Sequence, residues 1–138
     1  TDFSAEVLTL AEQNRNTLKL NHVQLMCSHW FESIPAQRFH LIVSNPPYID
    51  PQDPHLIEGD VRFEPKSALV AEDGGMADLQ RIISAAPDYL ESGGKLLLEH
   101  GYNQAELVRE CLRERGFVGV GSQVDYGGNE RISWGMWQ

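Results

Sequence analysis

Phe39-His40-Leu41-Ile42-Val43-Ser44-Asn45-Pro46-Pro47-Tyr48 is the stretch whose reading decides the fold. Its first six residues form a short apolar run, the pattern of a parallel strand buried on both faces. The run stops at Asn45 because Pro46 and Pro47 carry no N–H and cannot extend a hydrogen-bonded ladder. A buried strand that ends in a rigid polar turn belongs in an α/β sheet, where ligands sit outside the C-terminal ends of the strands.

Working outward, Ser4 is a good N-cap, and Val7, Leu8, Leu10, Ala11 and Leu18 recur at helical spacing, so the pattern predicts a helix over residues 4–18. His22 to Cys27 alternates and reads as a strand. Residues 49–75 carry Pro51, Pro54, Pro65 and several acids and read as a long ordered loop. Asp78 to Ala86 suits a helix ended near Pro87, and the turn Ser92-Gly93-Gly94 leads into a second buried strand, Lys95 to Glu99. Asn103 reads as the cap of a helix running through Ala105, Val108, Cys111 and Leu112 to a stop at Gly116. Phe117 to Asp125 and Arg131 to Trp137 read as strands joined by a hairpin turn, Tyr126 to Glu130. The sum is an α/β fold, a mostly parallel sheet with a C-terminal antiparallel hairpin and helices on its faces. Asp2, the segment Ser28-His29-Trp30, Asn45 to Tyr48, and Glu99-His100 are the residues that end its strands.

Composition narrows the classes. A chain of 138 residues with 41% hydrophobic and 22% charged residues is one globular domain by length and content. Eleven Lys and Arg against twenty Asp and Glu give a net charge of −9, which argues against broad binding to a phosphate backbone. Cys27 and Cys111 are too few for a disulfide scaffold and read as reduced, buried thiols of a cytoplasmic protein. No apolar run reaches the roughly 18 residues of a membrane span, and no signal peptide is visible. His22, His29, His40, His55 and His100 show no metal-ligand spacing, so no metal is expected. Asp50, Asp53, Glu58, Asp60, Glu64, Glu72 and Asp73 crowd one loop, as a solvated acidic surface or as a contact for a basic partner.

Asn45-Pro46-Pro47-Tyr48 carries the chemistry. A carboxamide presents acceptor and donors in one plane, and the prolines leave only carbonyls beside it. Such a rigid set can hold a substrate NH₂ by its hydrogens and aim the nitrogen lone pair out of that plane at an electrophile. A tyrosine ring can stack on a flat amide or base. A plain turn after a strand is the competing reading.

Residues 39–49 resemble the signature of class I S-adenosylmethionine-dependent methyltransferases that modify planar nitrogens. More closely, the chain resembles the peptide chain release factor glutamine methyltransferases, the HemK/PrmC family. The match continues through Asp53-Pro54-His55, Gly59-Asp60-Val61-Arg62-Phe63-Glu64-Pro65, Ala68-Leu69 and Gly74-Gly75-Met76-Ala77-Asp78. Leu96 to Gly101, Asp125-Tyr126-Gly127 and Asn129-Glu130-Arg131 complete it, so it covers essentially the whole chain. The resemblance implies a Rossmann-like sheet and methyl transfer from S-adenosylmethionine to the side-chain amide nitrogen of the glutamine in a Gly-Gly-Gln motif of release factors. It implies that Asn45 meets both cofactor and substrate and that Pro46, Pro47 and Tyr48 hold the glutamine amide. It also implies that Asp2 binds the cofactor ribose and that Trp30 lies near the adenine. The family usually carries an acid where this chain has His29, which is assigned to the cofactor site with Trp30.

The resemblance also implies that a first strand, a glycine-rich loop and an N-terminal helical domain precede Asp2. The chain is therefore read as a partial catalytic domain, residues 1–138. Without a neighbour, the Leu41–Val43 edge would leave backbone groups unpaired at about 1–3 kcal/mol each, which favours self-association of the isolated chain. Two other readings stand beside the glutamine methyltransferase: methylation of the adenine exocyclic amine in DNA or RNA, and an inactive, self-associating fragment. An ion pair of Arg62 and Glu64 is expected to tie their loop down over Tyr48.

Overall fold

The computed structural model describes every residue except Glu58 and Asp60, two of the loop acids noted above, which lie outside the described residues. It divides into two units, residues 1–37 and residues 38–138.

In the first unit, α1 (Ala5–Thr17) starts where the sequence places it, with the Ser4 side chain accepting from the Val7 N–H at 3.4 Å. The expected strand from His22 to Cys27 is absent. One isolated parallel bridge, Asp2 to Cys27, is all that forms. Alternation is a weak signal over six residues, and a strand needs a paired neighbour along its length to persist.

In the second unit, β1 (Phe39–Ser44), β2 (Leu90–Glu99), β3 (Val118–Val124) and β4 (Glu130–Met136) form one sheet in the order β1-β2-β4-β3. β1 and β2 are parallel, with Ile42 beside Leu96 and Ser44 beside Leu98; β4 runs antiparallel to both β2 and β3. The connection from β1 to β2 holds α2 (Lys66–Leu69), α3 (Glu72–Gly75) and α4 (Ala77–Ala85), and α5 (Ala105–Arg115) links β2 to β3. Residues 49–75, read as a long ordered loop, contain short helical turns. β1 ends at Ser44 as the two prolines require.

The buried positions on α4 are Leu79, Ile82 and Ile83, and on α5 Ala105, Val108 and Leu112, the spacing of a single helical stripe in each. α5 packs on β3 and β4, and its Arg109 reaches the Ser122 hydroxyl and, at 2.5 Å, the Glu130 carboxylate. Under this layer Leu96 and Leu98 are fully buried. The opposite face of β1 is open: Leu41 and Val43 are 52% and 67% exposed. Burial of β1 on both faces, expected from its apolar run, does not occur, because no element of its unit covers the face that carries Leu41 and Val43.

Three further expectations change. β2 begins five residues early, because Gly93 and Gly94 form a bulge paired with Trp137 rather than a turn before the strand. The cap of α5 is Gln104 rather than Asn103, while Gly116 ends the helix in the left-handed conformation as read from the sequence. Cys27 is exposed and Cys111 half-buried; both thiols are free. Among the described residues, no helix is long and apolar enough to cross a membrane.

Candidate active site

In the first unit the Asp2–Cys27 bridge lays two chain segments side by side. The Asp2 N–H donates to the Met26 carbonyl at 3.2 Å, and the Ser28 N–H donates to the Asp2 carbonyl at 3.0 Å. Asp2 and Ser28-His29-Trp30, far apart in sequence, thereby end at one edge. The Asp2 carboxylate accepts from the Ser4 N–H through Oδ1 at 2.8 Å, which steadies the entry to α1. Trp30 sits at φ 53°, a conformation that costs a bulky residue about 1–3 kcal/mol and collects at functional sites. The Ser28 hydroxyl fixes it there, donating to the Trp30 carbonyl at 2.8 Å while accepting from the Ser33 N–H at 3.0 Å. The Trp30 indole Nε1–H is buried without a hydrogen-bond partner among the described residues. His29 packs its ring 6.0 Å from that of Trp30, and its Nδ1 lies 2.9 Å from the Glu32 carboxylate.

In the second unit the motif Asn45-Pro46-Pro47-Tyr48 leaves the C-terminal end of β1. Asn45 is exposed, Pro46 is buried, and Pro47 and Tyr48 are half-buried. Tyr48 is held at three points. Its N–H donates to the Leu69 carbonyl at 3.2 Å, and Ile49 forms a parallel bridge with Val70 just beyond. Its carbonyl accepts from the Gln104 amide at 2.9 Å. Its phenol donates to the Glu99 carboxylate at 3.1 Å. Burial first, and the Glu99 charge second, push the phenol pKa up, so Tyr48 stays protonated and remains the donor. The same Gln104 amide also donates to the Gly74 carbonyl at 3.0 Å and accepts from the Gly101 N–H at 2.8 Å. Gln104 and Gly75, which packs directly on the Tyr48 carbonyl, were not legible as site residues; nothing local marks them. Glu99 had one signal, its place at the end of a strand. Glu64 lies close enough for its charge to act on Tyr48, while the Arg62 guanidinium stacks 4.6 Å over the Phe63 ring.

His100, beside Glu99, is fully buried and structural. Its Nδ1–H donates to the Gly101 carbonyl at 2.9 Å, and its Nε2 accepts from the Ser133 hydroxyl at 2.8 Å. Desolvation lowers its pKa below the ordinary 6.5, so the neutral ring is the native form. A folded-state pKa below the unfolded one means that the unfolded chain binds more protons, and stability falls as pH drops below about 6.5. Denaturant midpoints between about pH 8 and pH 5 should therefore slope more steeply for the wild type than for His100→Gln. Equal slopes would show that another group controls the acid limb.

No family model matches the chain. Curated relatives do. Release factor glutamine methyltransferase of Pseudomonas aeruginosa is 55% identical over 99% of this chain and 49% of its own length. The protein of the same name from Salmonella typhimurium is 52% identical over 97% of the chain and 48% of its length, and that of Escherichia coli is 48% identical over 99% and 49%. The chain spans about half the length of the curated relatives it matches. Among solved structures, the ribosomal protein L11 methylase of Lactobacillus delbrueckii subsp. bulgaricus superposes with a TM-score of 0.67 at 18% identity, covering 99% of this chain and 56% of the methylase. That likeness shows the fold alone, an α/β sheet flanked by helices. Along nearly its whole length, then, the chain is similar in sequence to about half of each of these release factor glutamine methyltransferases.

Proposed function

We propose that the natural protein carrying this chain methylates the side-chain amide nitrogen of the glutamine in the Gly-Gly-Gln motif of peptide chain release factors. The observation that carries the reading is the rigid Asn45-Pro46-Pro47-Tyr48 turn at the C-terminal end of a sheet strand, with Tyr48 tied down at its N–H, carbonyl and phenol. An amide nitrogen is a weak nucleophile because its lone pair is delocalised, so orientation has to do most of the work. The Asn45 carboxamide and the neighbouring proline carbonyls accept the two amide hydrogens, and the Tyr48 ring covers the amide plane. The oriented lone pair would face the methyl group that a bound cofactor would supply, and the amide would give up one N–H proton to solvent in exchange.

S-adenosylmethionine supplies an electrophilic methyl group on a sulfonium. The first unit fits its nucleoside: the Asp2 carboxylate offers acceptors for the ribose hydroxyls, Trp30 offers an aromatic face, and the orphaned indole N–H is a donor awaiting an acceptor. His29, held toward Glu32, borders that face. We place the reaction in the cytoplasm, where translation factors work.

A calorimetric titration of the natural protein with S-adenosylmethionine should give saturable binding that Trp30→Ala weakens by about tenfold or more, the scale of one lost aromatic contact. Incubation with a release factor and labelled cofactor should transfer one methyl to glutamine. Binding without transfer to a release factor, but with transfer to adenine-containing RNA, would sink the proposal in favour of a base methyltransferase.

A further inference from the structure

Resting on that reading, we propose that Glu99 is a positioning residue for methyl transfer, acting through Tyr48. The two are 51 residues apart in sequence, and the sheet brings them together: β2 runs parallel to β1, so both strands deliver their C-terminal ends to the same edge. The Tyr48 backbone is already fixed by Leu69 and Gln104. What remains free is rotation of the side chain about its two torsions, and the Glu99 hydrogen bond at 3.1 Å removes it. A phenol committed as donor to a carboxylate is not free to give or take a proton in the reaction. Tyr48 therefore contributes a ring in a set plane, and Glu99 sets that plane. Burial of one side of the pair raises the cost of a misdirected ring, because a half-buried phenol without an acceptor loses a hydrogen bond that water does not fully replace.

The Glu99 side chain touches neither reacting atom in this account, so its loss should affect turnover and leave the cofactor alone. In the natural protein, Glu99→Ala is expected to lower kcat/KM for the release factor about tenfold, with the S-adenosylmethionine dissociation constant unchanged. Glu99→Gln, whose amide oxygen still accepts from the phenol, should recover most of the rate. Tyr48→Phe should match Glu99→Ala, and the double variant should be no worse than either, since both break one bond. Activity of Glu99→Ala within twofold of wild type, or a double variant whose losses multiply, would overturn the inference while the methyltransferase reading stood. A wild-type protein that methylates no release factor would overturn both, and the two failures are told apart by the wild-type lane alone.

Discussion

Gly75→Ala is expected to destabilise the chain by about 3 kcal/mol or more and to abolish any activity that depends on Tyr48. Gly75 has φ +83°, and a Cβ built there would lie 2.0 Å from the Tyr48 carbonyl oxygen and 2.6 Å from the Gln104 amide nitrogen. Positive φ alone does not account for so large a loss: an L-residue in that region costs about 1–2 kcal/mol, and Lys19, Trp30 and Asp73 all bear it here. The clash decides the outcome. The carbonyl that must move is backbone, on the last residue of the motif, and it is held by Gln104. Gly74→Ala is the matched control, because it has φ +63° but its nearest foreign atom is an Asp50 carboxylate oxygen at 3.8 Å. Urea midpoints should put Gly74→Ala about 1 kcal/mol below wild type and Gly75→Ala well below that. Equal midpoints for the two would show that backbone conformation, rather than the contact with Tyr48, sets the requirement for glycine.

Asn45→Ala should show the reverse profile, with activity lost and stability kept. Asn45 is exposed, so truncating it opens no cavity and strands no buried partner, and the midpoint should move by no more than about 0.5 kcal/mol. The carboxamide is nevertheless the group assigned to hold the substrate nitrogen. Losing it costs both orientation and polar contacts at the reacting atom, which together amount to about 10²-fold or more in kcat. Transfer of labelled methyl to a release factor, measured beside a denaturation curve of the same preparation, separates the two effects. Full activity in Asn45→Ala would remove the motif from the chemistry and restore the reading of a plain turn.

The limits of local reading are visible in particular residues. β1 could be read to its last residue because its boundary is covalent: proline cannot donate, wherever the strand lies. α1 and α5 were legible at Ser4 and Gly116 for the same kind of reason, a side chain that caps its own helix and a residue that tolerates a left-handed stop. The six residues from His22 to Cys27 have the alternation of a strand but only one bridge, because pairing depends on a neighbour that alternation does not reveal. Gly93-Gly94 reads as a turn in isolation and is a bulge in the sheet, since the Trp137 N–H and carbonyl both bond to it. Leu41 and Val43 are exposed although their run reads as buried, because burial depends on what packs against that face, which no property of those two residues specifies.

The sequence by itself determined the strand that presents Asn45 to Tyr48, the composition of that motif and the family the chain resembles, because each is written in contiguous residues whose geometry is local. Tertiary structure alone decided which distant groups hold the motif: Glu99 on its phenol, Gln104 on its carbonyl and Gly75 against its backbone. Those partners are joined by hydrogen bonds and close contacts across as many as 56 residues of chain. They exist only once the parallel pairing of β1 with β2 has brought the two strand ends to one edge, and a one-dimensional pattern carries no record of that distance.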